Sequence, residues 1–402
     1  MNFDKVIDRS GTDSIKWADS RNQTGIPDIL PLWVADMDFP PPQEVIAAIQ
    51  NRAAHPIFGY ARLPDTYIKL LSNWYADRYG AKVRPESFLP APGIIPSLGI
   101  AIRSLTHTNA GILIMPPVYN PFFDIVRDND RAMVLAPFKE CGVDPWVLDI
   151  SILEKAVHDA LVEGIKVEAM ILCSPHNPGG RVWSHEELSS ILKFADKKQL
   201  LIIADEIHGD LVTGSIPFVS FAGFGDGVRR AARRVVVLSG PNKTFNIAGL
   251  HLSHFIVENP ELRVKIERGL QAAGFHEPDI FALAAASAAY EYGKPWLDEL
   301  LPYLRSNLEF VAHFFIKHKC GMRSSVPEGT YLAWVDAHNL INWKGLKSDR
   351  ALVDLLALEG RVRLNPGSMY GPGGEGFVRL NVACPRATLE EGLYRIEKWS
   401  DR

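Results

Sequence analysis

Short apolar runs alternate with longer amphipathic stretches along most of this chain. Ile112–Met115, Met133–Ala136, Ala169–Cys173, Leu201–Ala204 and Val235–Leu238 are runs of four or five apolar or β-branched residues, and Leu252–Val257 is apolar at four of its six positions. Such runs predict buried strands. Between them, apolar positions recur at helical spacing over 149–163, 185–198 and 260–273. Strands alternating with helices give βαβ units, and hence an α/β fold on a parallel sheet. Upstream, 43–53 and 65–80 read as helices, the second through Tyr67, Leu70, Leu71, Trp74 and Tyr75. Another runs from Ser97 to Leu105. Downstream, an alanine-rich helix over 280–292 and a long one from Trp296 to about Lys317 lead away from the alternating pattern. A smaller α+β region follows: strand 330–335, helix 348–358, strands 361–364 and 377–382, and a final helix from Leu389. Residues 1–31 are polar and turn-rich and read as an extended arm; Leu32–Phe39 reads as a strand and turn, ended by Pro40-Pro-Pro42.

Three strands end in residues that carry chemistry. Val235–Leu238 runs into Ser239-Gly-Pro-Asn-Lys243, Ala169–Cys173 into Ser174-Pro-His-Asn177, and Leu200–Ala204 into Asp205-Glu-Ile-His208. Open α/β sheets bind ligands beyond the carboxyl ends of their strands. A lysine there is partly desolvated, which favours the nucleophilic amine over the ammonium. A lone lysine in a turn is usually a solvated surface residue. Amine, carboxylate and amide together fit a pyridoxal 5′-phosphate (PLP) site. Lys243 would form the Schiff base and Asp205 would pair with the pyridine nitrogen, so that the ring draws electrons. Asn177 would hydrogen-bond the phenolic oxygen. Gly93 at a helix start would let the amides of Gly93, Ile94 and Ile95 face the phosphate. Arg379, in an apolar strand run, suits a two-point grip on a carboxylate; a structural ion pair is the alternative.

Length and composition set limits. At 402 residues and 47% hydrophobic content, the chain can bury a large core in one or two domains. Net charge is −4 with 22% charged residues, which excludes a nucleic-acid or membrane surface as the main partner. The cysteines at 141, 173, 320 and 384 have no metal-ligand spacing, so no metal is expected. Cys173 and Cys384 read as core thiols in a reducing cytoplasm. The N-terminus lacks a basic-then-apolar leader pattern.

Taken in order, several segments resemble fold-type I PLP enzymes, the aminotransferase class I/II superfamily. They are Ser14-Ile-Lys-Trp17, Leu32-Trp-Val-Ala-Asp-Met-Asp-Phe39, Pro92-Gly-Ile-Ile-Pro96, Pro117-Val-Tyr-Asn-Pro121, Ser174-Pro-His-Asn-Pro-Gly-Gly180, Asp205-Glu-Ile-His208, Lys243-Thr-Phe-Asn-Ile-Ala-Gly249, Gly329-Thr-Tyr-Leu-Ala-Trp334 and Phe377-Val-Arg-Leu-Asn381. Asp-Glu-Ile-His and the segment around Asp36 resemble the cystathionine β-lyase (C–S lyase) group of MalY/PatB type. The resemblance implies a large domain with a mainly parallel seven-stranded sheet over 46–285 and a smaller domain over 286–402, joined by the arm 1–45. It implies a homodimer with shared sites, Tyr60 reaching the neighbour's cofactor phosphate. It implies further cofactor contacts from Tyr119, His208, Ser239 and Asn242, and substrate contacts from Arg379, Asn177 and the backbone at Ala35. The expected reaction is β-elimination from an S-substituted L-cysteine. An L-amino-acid aminotransferase is the alternative, and a regulator that keeps the fold and binds a partner protein is a second. Two positions depart from the superfamily pattern. Asn242 stands where serine is common, and His251 stands where many aminotransferases place an arginine on the phosphate.

Overall fold

The computed structural model describes residues 1–139, 142, 146–224 and 232–401; Cys141 lies outside them. The large sheet has seven strands: β1 (Phe88–Ala91), β2 (Gly111–Ile114), β3 (Ala132–Leu135), β4 (Val167–Cys173), β5 (Leu201–Asp205), β6 (Val235–Ser239) and β7 (Ser253–Ile256). Their spatial order is β1-β7-β6-β5-β4-β2-β3. All pairings are parallel except those of β7, which runs antiparallel to β6 and β1. The expected α/β fold on a mainly parallel seven-stranded sheet is therefore present.

The sheet is buried on both faces, which explains runs of apolar residues with no polar alternation. Side chains still alternate between two cores. Ile112, Ile114, Ala169, Ile171 and Ile203 pack with the helices Ile94–Leu105 and Pro260–Ala272. Leu113, Met170, Leu172, Ile202 and Ala204 face the opposite core with His185–Lys198. Helix His185–Lys198 has the bounds that its periodicity predicts. Ser184 and Glu187 close a reciprocal cap at its start.

Other boundaries moved for local reasons. Strand β1 was not expected, because Pro90 interrupts its pattern. Proline is tolerated in an edge strand, and β1 is an edge. The helix expected from Ser97 starts at Ile94, because Pro96 falls in the first turn, where no N–H is needed. The final helix starts at Arg386 rather than Leu389. The arm is not simply extended: it has helical turns at Ile15–Asp19 and Ser20–Thr24.

A second, antiparallel sheet of four strands contains Leu332–Asp336 paired with Phe377–Asn381, Trp334 opposite Arg379 and Leu332 opposite Asn381. Arg379 and Asn381 thus share one face, and that face holds the segment 32–39. Only Leu30–Pro31 pairs as strand, with Val362–Arg363. Beyond it the chain is a strap, not the strand and turn expected: backbone bonds hold it at Leu32 and Asp38, and side chains take most of its other carbonyls. Trp33 O accepts from Arg379 Nη2 (2.8 Å) and Asn365 Nδ2 (2.9 Å). Asn381 Nδ2 donates to the carbonyls of Val34 (2.5 Å) and Asp36 (2.7 Å). Asn246 Nδ2 donates to those of Met37 (2.9 Å) and Phe39 (2.7 Å). Asp38 is buried against Lys16 Nζ (2.8 Å) and Arg9 Nη1 (2.8 Å), and Lys16 itself is fully buried. Among the described residues no helix is long and apolar enough to cross a membrane.

Asn381→Ala should remove one donor from each of two strap carbonyls, leaving Val34 O to Asp36 N (2.9 Å) and Asp36 O to Lys16 Nζ (3.3 Å). The expected loss is about 1–3 kcal/mol of unfolding free energy, read from the urea midpoint at unchanged m-value. A wild-type midpoint would mean that the strap is held without this amide.

Candidate active site

The parallel strands present their carboxyl ends at one edge of the sheet. Because β7 runs the other way, its first residues return to that same edge. A cavity of about 320 Å³ opens there. Strand β1 leads to Gly93, Ile94 and Ile95, β2 to Tyr119, and β4 to Cys173 and Asn177. Strand β5 supplies Asp205 and His208, and the β6–β7 connection supplies Asn242, Lys243 and His251. The strap adds Ala35.

At the start of helix Ile94–Leu105, Gly93 takes φ +93°, a backbone that side chains rarely adopt. Its N–H is already used, donating to Ser253 Oγ at 3.1 Å. Its carbonyl accepts from Ser97 N (3.2 Å) and Ser97 Oγ (2.5 Å). Gly93 therefore supplies the shape of the turn rather than a donor. The first-turn amides of Ile94 and Ile95 have no intrahelical acceptor and stand where the helix dipole favours an anion. The His251 imidazole lies beside this turn: Nδ1 is 3.8 Å from where a Cβ on Gly93 would be.

Across the cavity, Arg379 Nη1 donates to Asn177 Oδ1 at 3.1 Å. Its Nη2 holds Trp33 O, and Nε is buried without a partner. The guanidinium stands 5.1 Å from the centre of the Tyr370 ring. A buried guanidinium with an unused donor suits a planar anion such as a carboxylate. Among the described residues two more buried atoms in the cavity wall lack partners, His208 Nδ1 and Asn242 Oδ1.

Burial dominates the electrostatics. It pushes the Lys243 amine down to about 8; Arg379 adds to the shift, whereas Asp36 and Asp205 oppose it. Lys243 Nζ donates to Ala35 O, which also accepts from Tyr331 Oη at 2.9 Å. Burial raises Asp205 to about 7, although Ile207 N donates to its Oδ1 at 3.1 Å and Lys243 pulls it back. His208 is held neutral, pushed down to about 3 by burial and by the positive charges of Lys243 and Arg379. Glu206 is also raised, to about 8, by burial, but its carboxylate takes Ser220 Oγ (2.6 Å) and Phe221 N (2.8 Å) and does not line the cavity.

Most of the residues singled out from the sequence thus meet in one place. Arg379 stands one contact behind, through Asn177. The Ser239 hydroxyl donates to Glu206 O at 3.3 Å, so it has a partner other than the cavity. Tyr60 is 98% exposed and does not reach the cavity of its own chain. Sequence reasoning missed Cys173, which lines the cavity although its run reads as core, and Tyr331, which shares the Ala35 carbonyl with Lys243. Tyr331 sits inside the Gly329–Trp334 motif, so a signal was there.

Residues 27–396 match the family described as aminotransferase class I and II. The chain belongs to that family. It is 38% identical over 398 residues to cystathionine β-lyase PatB of Bacillus subtilis, covering 99% of both chains. Cystalysin from Treponema denticola, whose structure contains a pyridoxal 5′-phosphate cofactor, superposes with a TM-score of 0.91 at 28% identity, covering 99% of this chain and 98% of that one. A PLP-bound C–S lyase from Staphylococcus hominis superposes at 0.89, also at 28% identity, covering 99% and 97%. These three proteins, like this chain, are matched over nearly their whole length.

In the cofactor-free protein, acylation of Lys243 measured against pH should show a midpoint near 8 rather than at the 10.5 of an ordinary lysine. Asp36→Asn removes a charge that favours the ammonium, so the midpoint should move lower still. A midpoint in the ordinary lysine range would show that Nζ is solvated. Asp205 and Glu206 hold their protons longer folded than unfolded. Their contributions to stability should therefore fall as pH rises from about 4 to 8, read as the pH-dependent difference in urea midpoint between the cofactor-free protein and its Asp205→Asn and Glu206→Gln variants.

Proposed function

We propose that this chain is a PLP-dependent C–S β-lyase that splits an S-substituted L-cysteine into a thiol, pyruvate and ammonia. One observation carries the reading. A buried amine and a buried carboxylate line one cavity at the carboxyl edge of the sheet, and a guanidinium with a spare donor stands directly behind its Asn177 wall. The names of the relatives support the same activity.

The chain's groups fit the cofactor. The free amides of Ile94 and Ile95, with Asn242, would hold its phosphate, and Tyr119 would cover the ring face. Asp205 would meet the ring nitrogen; a cation there restores the ionised carboxylate that burial alone disfavours. When bound, PLP supplies an aldehyde carbon that condenses with amines and a ring that draws electrons away from Cα. The rest falls to the protein. Arg379 holds the substrate carboxylate through its planar fork, and Asn177, fixed by Arg379 Nη1, keeps that carboxylate in register. This grip sets the direction of the Cα–H bond. Lys243 Nζ, neutral over a usable pH range, takes the Cα proton. The electron pair then expels the thiolate from Cβ, and water releases pyruvate and ammonia.

The same residues would serve an aminotransferase, in which Lys243 returns the proton elsewhere and Cβ keeps its substituent. The segments around Asp36 and His208 favour the lyase. The test supplies S-alkylcysteine or cystathionine with and without a keto acid, and follows pyruvate, ammonia, thiol and new amino acid together. Free thiol with pyruvate, independent of the keto acid, is the expected result. Stoichiometric amino-group transfer without thiol would make this an aminotransferase.

The reading extends to the assembly. The exposed Tyr60, in a loop with the exposed Ile57 and Phe58, suits a group lent to a neighbouring copy in a homodimer. The pairing of Leu30–Pro31 with Val362–Arg363 supports joining the arm to a C-terminal domain, with the division near 285. Buried free thiols at Cys173, Cys320 and Cys384 support a cytoplasmic setting.

Two variants test the assignments. Arg379→Lys keeps the charge and loses the fork, so kcat/KM should fall by about 2–4 kcal/mol with cofactor absorbance unchanged. Unchanged kcat/KM would make Arg379 structural. Mixing Lys243→Ala chains with Tyr60→Phe chains, with subunit exchange confirmed, should regain activity above either alone. No gain would leave Tyr60 outside the site.

A further inference from the structure

Asp210 lies five residues beyond Asp205. Its side chain is buried, yet it takes no part in the cavity wall. Three donors converge on the carboxylate: Tyr79 Oη at 2.6 Å and Trp74 Nε1 at 3.1 Å to Oδ1, and Thr244 Oγ1 at 2.9 Å to Oδ2. Arg78 Nε stands 3.4 Å from Oδ1. Trp74, Arg78 and Tyr79 belong to one helix, Asp65–Tyr79. Thr244 comes from elsewhere: it is the residue after Lys243.

That connection matters because Lys243 sits in a single turn, Pro241–Thr244. One turn cannot hold its own orientation, since helix nucleation is unfavourable. Its direction depends on what it is tied to. Phe245 N reaches back to Pro241 O (2.9 Å) and Ile247 N to Asn242 O (3.0 Å), both within the same loop. The Thr244 hydroxyl reaches out of the loop to Asp210, and Asp210 is itself anchored on a long helix. Successive side chains leave a helical turn about 100° apart, so pinning Thr244 on one side sets where Lys243 points on the other.

We propose that Asp210 is a positioning residue for Lys243: it grips the Thr244 hydroxyl and thereby aims Nζ into the cavity. The inference rests on the reading of Lys243 as the reacting amine. It is an effect of aim rather than of field, because the charges that act on Lys243 are those of Arg379, Asp36 and Asp205.

The test replaces Thr244 rather than Asp210, whose loss would strand buried donors on the helix. Thr244→Val keeps the shape and removes the hydroxyl; Thr244→Ser keeps the hydroxyl. Three quantities are read on the cofactor-loaded proteins: kcat and KM for an S-substituted cysteine, the pH midpoint of the cofactor's visible absorbance, and the thermal midpoint. The expected result for Thr244→Val is a fall in kcat of about 10–100-fold, the scale of a small misplacement of a reacting group, with KM and thermal midpoint held. Its absorbance midpoint should be displaced, and Thr244→Ser should recover both kcat and that midpoint. Wild-type kcat and absorbance midpoint in Thr244→Val would overturn the inference. So would a loss of kcat that follows a lowered thermal midpoint and is not recovered by serine. Lys243→Ala separates the two levels. If it keeps turnover and colour, the lysine reading fails together with the inference. If it loses both while Thr244→Val behaves as wild type, the inference alone fails.

Discussion

An ammonium taken out of water is costly, and the arrangement around Lys243 follows from that cost. The amine sits past the end of a fully buried strand, where desolvation lowers its proton affinity. The charges of Asp36 and Asp205 limit the shift, whereas Arg379 extends it. The result is an amine that changes charge near neutral pH. Nothing in its own loop achieves this. The groups that limit the shift come from the strap and from β5, and the one that extends it comes from the second sheet.

The same burial sets the states of the neighbours. Asp205 leans toward its protonated form and His208 is kept neutral, because each would have to ionise away from water. A cationic ring nitrogen against Asp205 would convert an unfavourable buried carboxylate into half of an ion pair. The cavity is therefore better matched to a cationic heterocycle than to none.

Much of this was legible in the sequence. Strand ends at Asn177, Asp205 and Lys243 could be read because a parallel sheet turns consecutive apolar runs into one shared edge. Arg379 stood out as a charge in an apolar run. What stayed hidden depended on contacts distant in sequence. The strap looked like a strand because its apolar run does not reveal that Asn365, Arg379 and Asn381 will occupy its carbonyls. Gly93 looked like an anion donor because nothing local shows that Ser253 takes its N–H. Cys173 looked like core because a strand's last apolar residue reads the same whether it meets a helix or a cavity. Asp210 carries no local signal, since its donors lie over 130 residues upstream and 34 downstream.

The strap also orders events in time. Its carbonyls, near residue 35, are held by side chains 346 and 347 residues away at Arg379 and Asn381. During synthesis the N-terminal part of a chain emerges first and begins to fold as a unit. Here an early segment waits for one some 346 residues later. Until residue 381 has left the ribosome, the carbonyl that receives Lys243 cannot be fixed by the second sheet. The sheet and its Asp205 can form meanwhile from nearer neighbours. The pocket is thus completed only once residue 381 is free to fold back, and a nascent chain shorter than that has the strands without the site.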